Sequence, residues 1–472
     1  MLSKFFLCVL ASAAGTFGST LPKRAQFEAS SYSSKNVIQT DFAIIGGGAA
    51  GTYAAIALKD QNKTFTLVET TNRLGGHTRT FRDPSTGAVV DFGVQIHLDA
   101  PIVRNFFSRL NTALSQVQLT DFGLPKYFDF TQRVALPNYV RGNVGPDYIA
   151  QLNKYSYLDD LNNLPAQVPS DLLLNFPDFA KKVGLSENST EGGLNWPATP
   201  GDPLKTTALA ILNDGNHVET AEFQGAGVHA ANRDNSQIFR NALAEIQADV
   251  LLQSSIVAAN RGPTPKSGVQ LIANTPTGKK LICAKQLIIA FPYTPDQTNS
   301  FGLDSKEKSI LSKISGKYFY GGVVNNTNLQ AGVAYTNAGA NTSFHAASLP
   351  GVVEIAPSVS PGYYFYWYNT VSPLTRPQIE SATRDTIKFL QSQIAATTTA
   401  SEPNFVDFQD FSPFHLGPGN SDIADGWYNK MKGLQGYRNT WYISSLFVVA
   451  ATQVWNNTAN MLPSIVGAAN LH

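Results

Sequence analysis

Three glycines, Gly46-x-Gly48-x-x-Gly51, stand between an apolar run, Phe42 to Ile45, and an alanine-rich stretch, Thr52 to Asp60. Between a strand and a helix, this spacing suits a dinucleotide. The first glycine admits a tight turn, the second lets a pyrophosphate approach the backbone, and the third lets the helix pack closely on its strand. The start of such a helix offers free N–H groups and partial positive charge to phosphate. Glu69 closes the next apolar run, Phe65 to Val68. A carboxylate there accepts hydrogen bonds from ribose hydroxyls and repels a 2′-phosphate, which disfavours NADP. By itself the fingerprint leaves NAD and FAD open.

A second glycine pair follows in Arg73-Leu74-Gly75-Gly76-His77-Thr78-Arg79-Thr80. Here the backbone can approach the far side of a pyrophosphate. Few other residues offer chemistry. The histidines are scattered and Cys283 has no partner once Cys8 is assigned to a leader, so neither a metal cluster nor a disulfide framework is expected. Tyr364, Tyr366 and Tyr368 share one face of an expected strand, Gly362 to Tyr368, and either line an apolar cavity or pack in the core.

The Arg73 to Thr80 run resembles the Arg-x-Gly-Gly-Arg-x-x-Thr signature of the flavin-containing amine oxidase superfamily, with His77 in place of the second arginine. Asp91-Phe92-Gly93 resembles the Asp-x-Gly that follows in that family, with Val94 where a second glycine is common. Val250 to Ile256, leading through Lys285 to Pro292, is similar to the family's second cofactor stretch, and Gly436 to Tyr442 with the helix beyond it stands where the family closes over the flavin ring. The Gly-Gly-His-Thr variant, the Asp91 to His97 block and the Val454-Trp455-Asn456 ending most resemble the fungal β-cyclopiazonate dehydrogenase family. The match is weak across Phe106 to Thr206 and Phe301 to Phe414.

The resemblance implies FAD as cofactor, held by Gly46, Gly48, Gly51, Glu69, Arg73, Gly75, Gly76 and His77, with Ile256 (or Val257 in the alternative register) packed at the adenine. It places His97 near the flavin as acid/base, covalent tether or hydrogen-bonded structural residue. Lys317 falls in the segment where some relatives carry a lysine that holds a water near N5; otherwise it is a solvated strand-end residue. His97, Lys317 and Tyr366 are thus the candidates for catalysis. The implied activity is hydride removal from a small apolar or prenylated secondary metabolite, with oxidative cyclisation as an option. Two alternatives stay open: a secreted amine or amino-acid oxidase using oxygen, and a flavin-binding protein without catalysis.

The elements that must position these residues follow from pattern. Phe42–Ile45, Thr52–Asp60 and Phe65–Val68 read as one βαβ unit. Gln237 to Ile246 reads as a helix, and Val250 to Ala258, Val269 to Ala273 and Lys280 to Ala290 as strands. The expected fold is α/β: a doubly wound Rossmann-type FAD domain (38–105, 205–295 and 416–472) with an inserted α+β substrate domain (106–204 and 296–415). A length of 472 residues suits this division.

The first 20 residues have the layout of a signal peptide, with Lys4 before the apolar run Phe5 to Ala14, and 21–37 reads as a linker or short propeptide bearing the dibasic pair Lys23-Arg24. Sequons at Asn62, Asn188, Asn325, Asn341 and Asn456 fit glycosylation, so a secreted or lumenal protein without a transmembrane anchor in its mature form is expected. A net charge of +1 without runs of like charge argues against nucleic acid and leaves a small molecule as the partner. Oligomeric state is not legible.

Overall fold

The computed structural model describes residues 25–195, 201–394 and 401–471. The residues expected to form a leader, the dibasic pair Lys23-Arg24 of the expected linker and Cys8 lie outside the described residues. Strand β1 (Val37–Ile45), helix α1 (Ala49–Asp60) and strand β2 (Phe65–Val68) form the expected βαβ unit. Phe42, Ala43 and Ile44 are fully buried. A continuous apolar run of this kind belongs in a parallel strand covered on both faces. β1 indeed pairs in parallel with β2 on one side and with the strand Gly278–Ile289 on the other.

Val250–Leu251 adds to β2 in parallel; Val269–Thr275 and Ser255–Arg261 extend the far side antiparallel, and Thr440–Tyr442 pairs with Leu287 to Ile289. One Rossmann-type sheet is therefore assembled from three separate stretches of chain. The run expected as a single strand, Val250 to Ala258, is broken at Gln253, which has a positive φ of 50°. Around that break Gln253 and Ser254 donate their amides to the carbonyls of Thr71 and Glu69, which turns the chain away from the β2 edge. The described part of the expected linker before Val37 forms three single helical turns, and Gln270 donates its side-chain amide to the Phe27 carbonyl at 3.0 Å, which ties the first of them to the sheet.

A second sheet runs in the order Asn404–Asp410, Ser315–Asn325, Tyr363–Thr370, Gly351–Pro357, Val333–Asn337, Leu124–Asp129 and Val134–Ala135. One face is covered by the helix Arg376–Ile394, whose Ile379, Ile387 and Leu390 pack with Ile355 and Tyr366. On the opposite face Phe319, Val323, Ala356 and Phe365 cluster with Val90 and Phe92. The strand Tyr363–Thr370 thus has two differently packed faces, as its alternation predicts. Between the Rossmann sheet and the neighbouring helix Ser305–Leu311, Arg261 and Glu307 form a fully buried bidentate pair at 2.6 and 2.7 Å.

Candidate cofactor and substrate site

The glycines divide the labour in the first turn. Gly46 has φ +105°, and a Cβ on it would stand 2.7 Å from the Ala290 carbonyl oxygen; a Cβ on Gly51 would stand 1.9 Å from that of Gly46. Both are therefore required by the protein itself. Gly48 differs: its backbone is ordinary and extended, and the nearest atom to an added Cβ is the Gly76 Cα at 3.8 Å. Only something lying between the turns needs a glycine there. Gly48 is also the N-cap of α1 and brings no capping side chain, which leaves the first-turn N–H groups free for an anion.

The second turn is tied to the first. Gly75 donates its amide to the Gly47 carbonyl at 2.8 Å, and a Cβ on Gly76 (φ +52°) would lie 3.0 Å from the Gly48 Cα. Glu69 accepts from the Gly47 amide at 2.7 Å and from the Thr71 amide at 2.7 Å. A carboxylate has about four lone-pair sites, so acceptor capacity is left for ribose hydroxyls.

Arg73 turns inward rather than towards the cleft alone. Its guanidinium donates to the carbonyl oxygens of Gly76 at 2.7 Å and Thr78 at 3.0 Å, and burial beside Arg79 lowers its pKa to about 10. Arg73 is thus a clamp on the Gly75–Gly76 turn. His77 stacks on Phe414, with centroids 5.3 Å apart, and meets Phe411 edge-on. Burial and the charges of Arg73 and His415 lower its pKa to about 4, so a neutral ring occupies the place of the resembled family's arginine.

Gly48, Glu69, Gly75, Gly76 and His77 open into a cavity of about 660 Å³. A dinucleotide flavin fits this cleft: there is a cradle that a Cβ at Gly48 would fill, a helix N-terminus for the pyrophosphate, and an acid for ribose. Ile256 does not line the cavity; its strand begins just after Ser254, beside the Glu69 loop.

The rest of the cavity is walled by Phe92, Phe319, Phe365, Trp367, Phe411 and Phe414. Register explains the wall. Trp367 pairs with Glu354, Glu354 with Thr336, and Thr336 with Tyr127, which lays one row of cavity residues across four strands of the second sheet. Odd-numbered Phe365 and Trp367 face the cavity, whereas Tyr364, Tyr366 and Tyr368 face the helix Arg376–Ile394. Tyr366 is fully buried there and away from the cavity.

His97 is 1% exposed, stacks on Trp455 at 5.1 Å and does not line the cavity; burial drives its pKa to about 3. Neither ring nitrogen has a hydrogen-bond partner among the described residues, so packing against Trp455 and Phe107, not the expected hydrogen bond, holds the ring. Lys317 is exposed on the strand beside Phe414 and also lies outside the lining. Cys283 is half-buried in its strand, and burial raises its thiol pKa. Of the sequons, Asn62, Asn188, Asn341 and Asn456 are exposed and Asn325 is half-buried.

Two groups of cavity residues had no signature in the chain. His415 Nδ1 lies 2.8 Å from Asp214 Oδ1, while its buried Nε2 has no hydrogen-bond partner among the described residues. Burial raises the Asp214 carboxyl and the His415 contact opposes that rise. This is an imidazole held by a carboxylate with one nitrogen left for a proton. The second group, Arg141 with Glu354 and Thr336, lies at the Tyr127 end of the sheet.

Comparison with known proteins agrees with this geometry. Residues 44–110 match the model for the NAD(P)-binding Rossmann-like domain. The chain is 47% identical to FAD-dependent oxidoreductase dbaF of Emericella nidulans over 98% of this chain and 99% of that protein. It is 25% identical to β-cyclopiazonate dehydrogenase of Aspergillus oryzae, over 92% and 94%. Among solved structures, a CLA-producing fatty acid isomerase from P. acnes superposes with TM-score 0.69 at 17% identity, over 90% of this chain and 98% of that one. Putrescine oxidase bound to putrescine superposes with TM-score 0.63 at 14% identity, over 92% and 99%.

Proposed function

Since the chain belongs to the family of fungal FAD-dependent oxidoreductases that includes dbaF, we propose that it removes a hydride from a small apolar or prenylated secondary metabolite, with ring closure of the oxidised product as a possible sequel. The observation that carries this reading is the aromatic cavity continuous with the paired glycine turns. FAD, when bound, supplies the hydride acceptor at its N5 atom. The protein's part is to hold, orient and dry. Gly48 and the first turn of α1 receive the pyrophosphate, Glu69 the ribose, and the wall from Phe319 to Phe414 excludes water from the reacting carbon. His415 Nε2, with its ring oriented by Asp214, is the atom placed to take a proton from a substrate N–H or O–H.

Two of the cavity carboxyls are weakened as seats for an amine, because burial raises the Glu222 and Glu354 pKa values above their usual range. The test is anaerobic mixing of the holoenzyme with an organic-soluble extract of fungal metabolites, with putrescine, and with amino acids. Bleaching of the flavin by the extract alone is expected. Bleaching by putrescine or an amino acid, with peroxide released in air, would replace this reading by an amine or amino-acid oxidase. A secretory route belongs to the same proposal, supported by the leader-like first 20 residues and the exposed sequons; a mobility shift on endoglycosidase treatment tests it. Among the described residues no helix is long and apolar enough to cross a membrane.

A further inference from the structure

We propose that Arg141 forms, at the Tyr127 end of the cavity, a subsite for a substrate carboxylate, so that the metabolite is an apolar acid bound with its carboxylate away from the glycine turns. The proposal rests on the apolar reading of the cavity and adds a polar anchor to it.

Placement comes first. Across the second sheet, the cavity face runs from Phe319 through Trp367, Glu354 and Thr336 to Tyr127, and the Arg141 guanidinium carbon sits 5.4 Å from the centre of the Tyr127 ring. The strand that carries Phe319 lies next to the edge strand Asn404–Asp410, whose Gln409 and Asp407 contact Arg73 and Arg79 of the second glycine turn. The row therefore leads from the cofactor turns to Arg141. A ligand lying along it meets aromatic carbon first and a cation last.

Arg141 is also free to bind. Its guanidinium makes no ion pair among the described residues, and its buried Nε has no hydrogen-bond partner. The acids around it are otherwise engaged. Glu354 accepts from the Thr336 hydroxyl at 2.8 Å, and burial raises its carboxyl pKa, an effect that this hydrogen bond and the charge of Arg141 oppose. Glu191 accepts from the Tyr139 hydroxyl. Arg141 is half-buried and has no ion-pair partner among the described residues, and a carboxylate matches the planar fork of a guanidinium.

The probes are decanoate and decanol, titrated into the holoenzyme and followed by the perturbation of the flavin spectrum and by calorimetry. Decanoate is expected to bind about tenfold or more tightly than decanol. Arg141→Met is expected to erase that preference while decanol affinity and flavin content stay at wild-type values, and Arg141→Lys to restore part of it. Equal affinity of the wild type for the two probes, or a preference that survives Arg141→Met, overturns the Arg141 subsite and leaves the apolar cavity standing. Failure of the wild type to bind either probe overturns both.

Discussion

Glu69 Oε2 lies 2.7 Å from the amide nitrogen of Gly47, so the acid that ends β2 fastens the turn that ends β1. The same carboxylate accepts from the Thr71 amide. Glu69 thus orders the cleft before any ribose arrives. Glu69→Ala removes this brace together with the ribose acceptor, and a charge-assisted hydrogen bond is worth roughly 1.5–3 kcal/mol. FAD affinity, read by fluorescence titration of the apoprotein, is expected to fall about one to two orders of magnitude; an unchanged value would put the ribose elsewhere.

Asp91 links stability to pH. Asp91 is half-buried, and desolvation raises its carboxyl pKa to about 8 despite hydrogen bonds from Thr80 and the Asn235 amide. Unfolded, the group titrates near about 4. Between those values the folded state holds a proton that the unfolded state lacks, so this contribution is fully present below about pH 4 and is lost as pH rises towards about 8. Asp91→Asn should flatten that part of the profile. Urea denaturation at pH 5 and pH 8 measures it: the wild type should lose more stability than the variant over this interval, and parallel losses would refute the assignment.

The Arg261–Glu307 pair should behave as a buried ion pair does. Arg261 also donates from Nε to the Phe301 carbonyl at 2.8 Å, and Arg438 reaches Glu307 at 3.0 Å. Glu307→Ala leaves a buried guanidinium without its charge partner, at a cost of about 3–5 kcal/mol. The double variant Arg261→Met, Glu307→Leu should be less damaging than the single one in chemical denaturation. Equal damage would mean that packing, not charge, sets the cost.

His97 should prove structural. Its ring lies against Trp455 outside the cavity lining and burial keeps it neutral. Acid precipitation is therefore expected to release the flavin, and His97→Gln to change flavin reduction by less than about threefold, against roughly 10²–10⁴ for a general acid/base. Flavin retained in the precipitate would identify a covalent tether.

What was legible in the chain was local. The β1–α1–β2 unit is written in a glycine spacing and two apolar runs, and Gln237–Ile246 forms the helix its pattern predicts. The Rossmann fold and FAD follow from those segments and from the resemblance they carry. The second sheet was not legible, because its strands are drawn from 124–135, 315–370 and 404–417 and only their register aligns Trp367, Glu354, Thr336 and Tyr127. Alternation along Tyr363–Thr370 announces two faces but not which one the helix Arg376–Ile394 covers, so the chain alone does not separate Tyr366, under the helix, from Phe365 and Trp367, which line the cavity. Asp214 and His415 meet only in space.

If the facing turns at Gly48 and Gly76 form the flavin cleft, the flavin content of purified Gly48→Val reports it. A Cβ at Gly48 would meet nothing nearer than the Gly76 Cα at 3.8 Å, and the backbone there is ordinary and extended, so the variant is expected to fold with a wild-type circular dichroism spectrum. Gly51→Val, whose Cβ would stand 1.9 Å from the Gly46 carbonyl oxygen, should not. Folded and colourless Gly48→Val is the expected result, since the new side chain occupies the path of the pyrophosphate. Folded Gly48→Val with the wild type's full complement of FAD would place the flavin elsewhere.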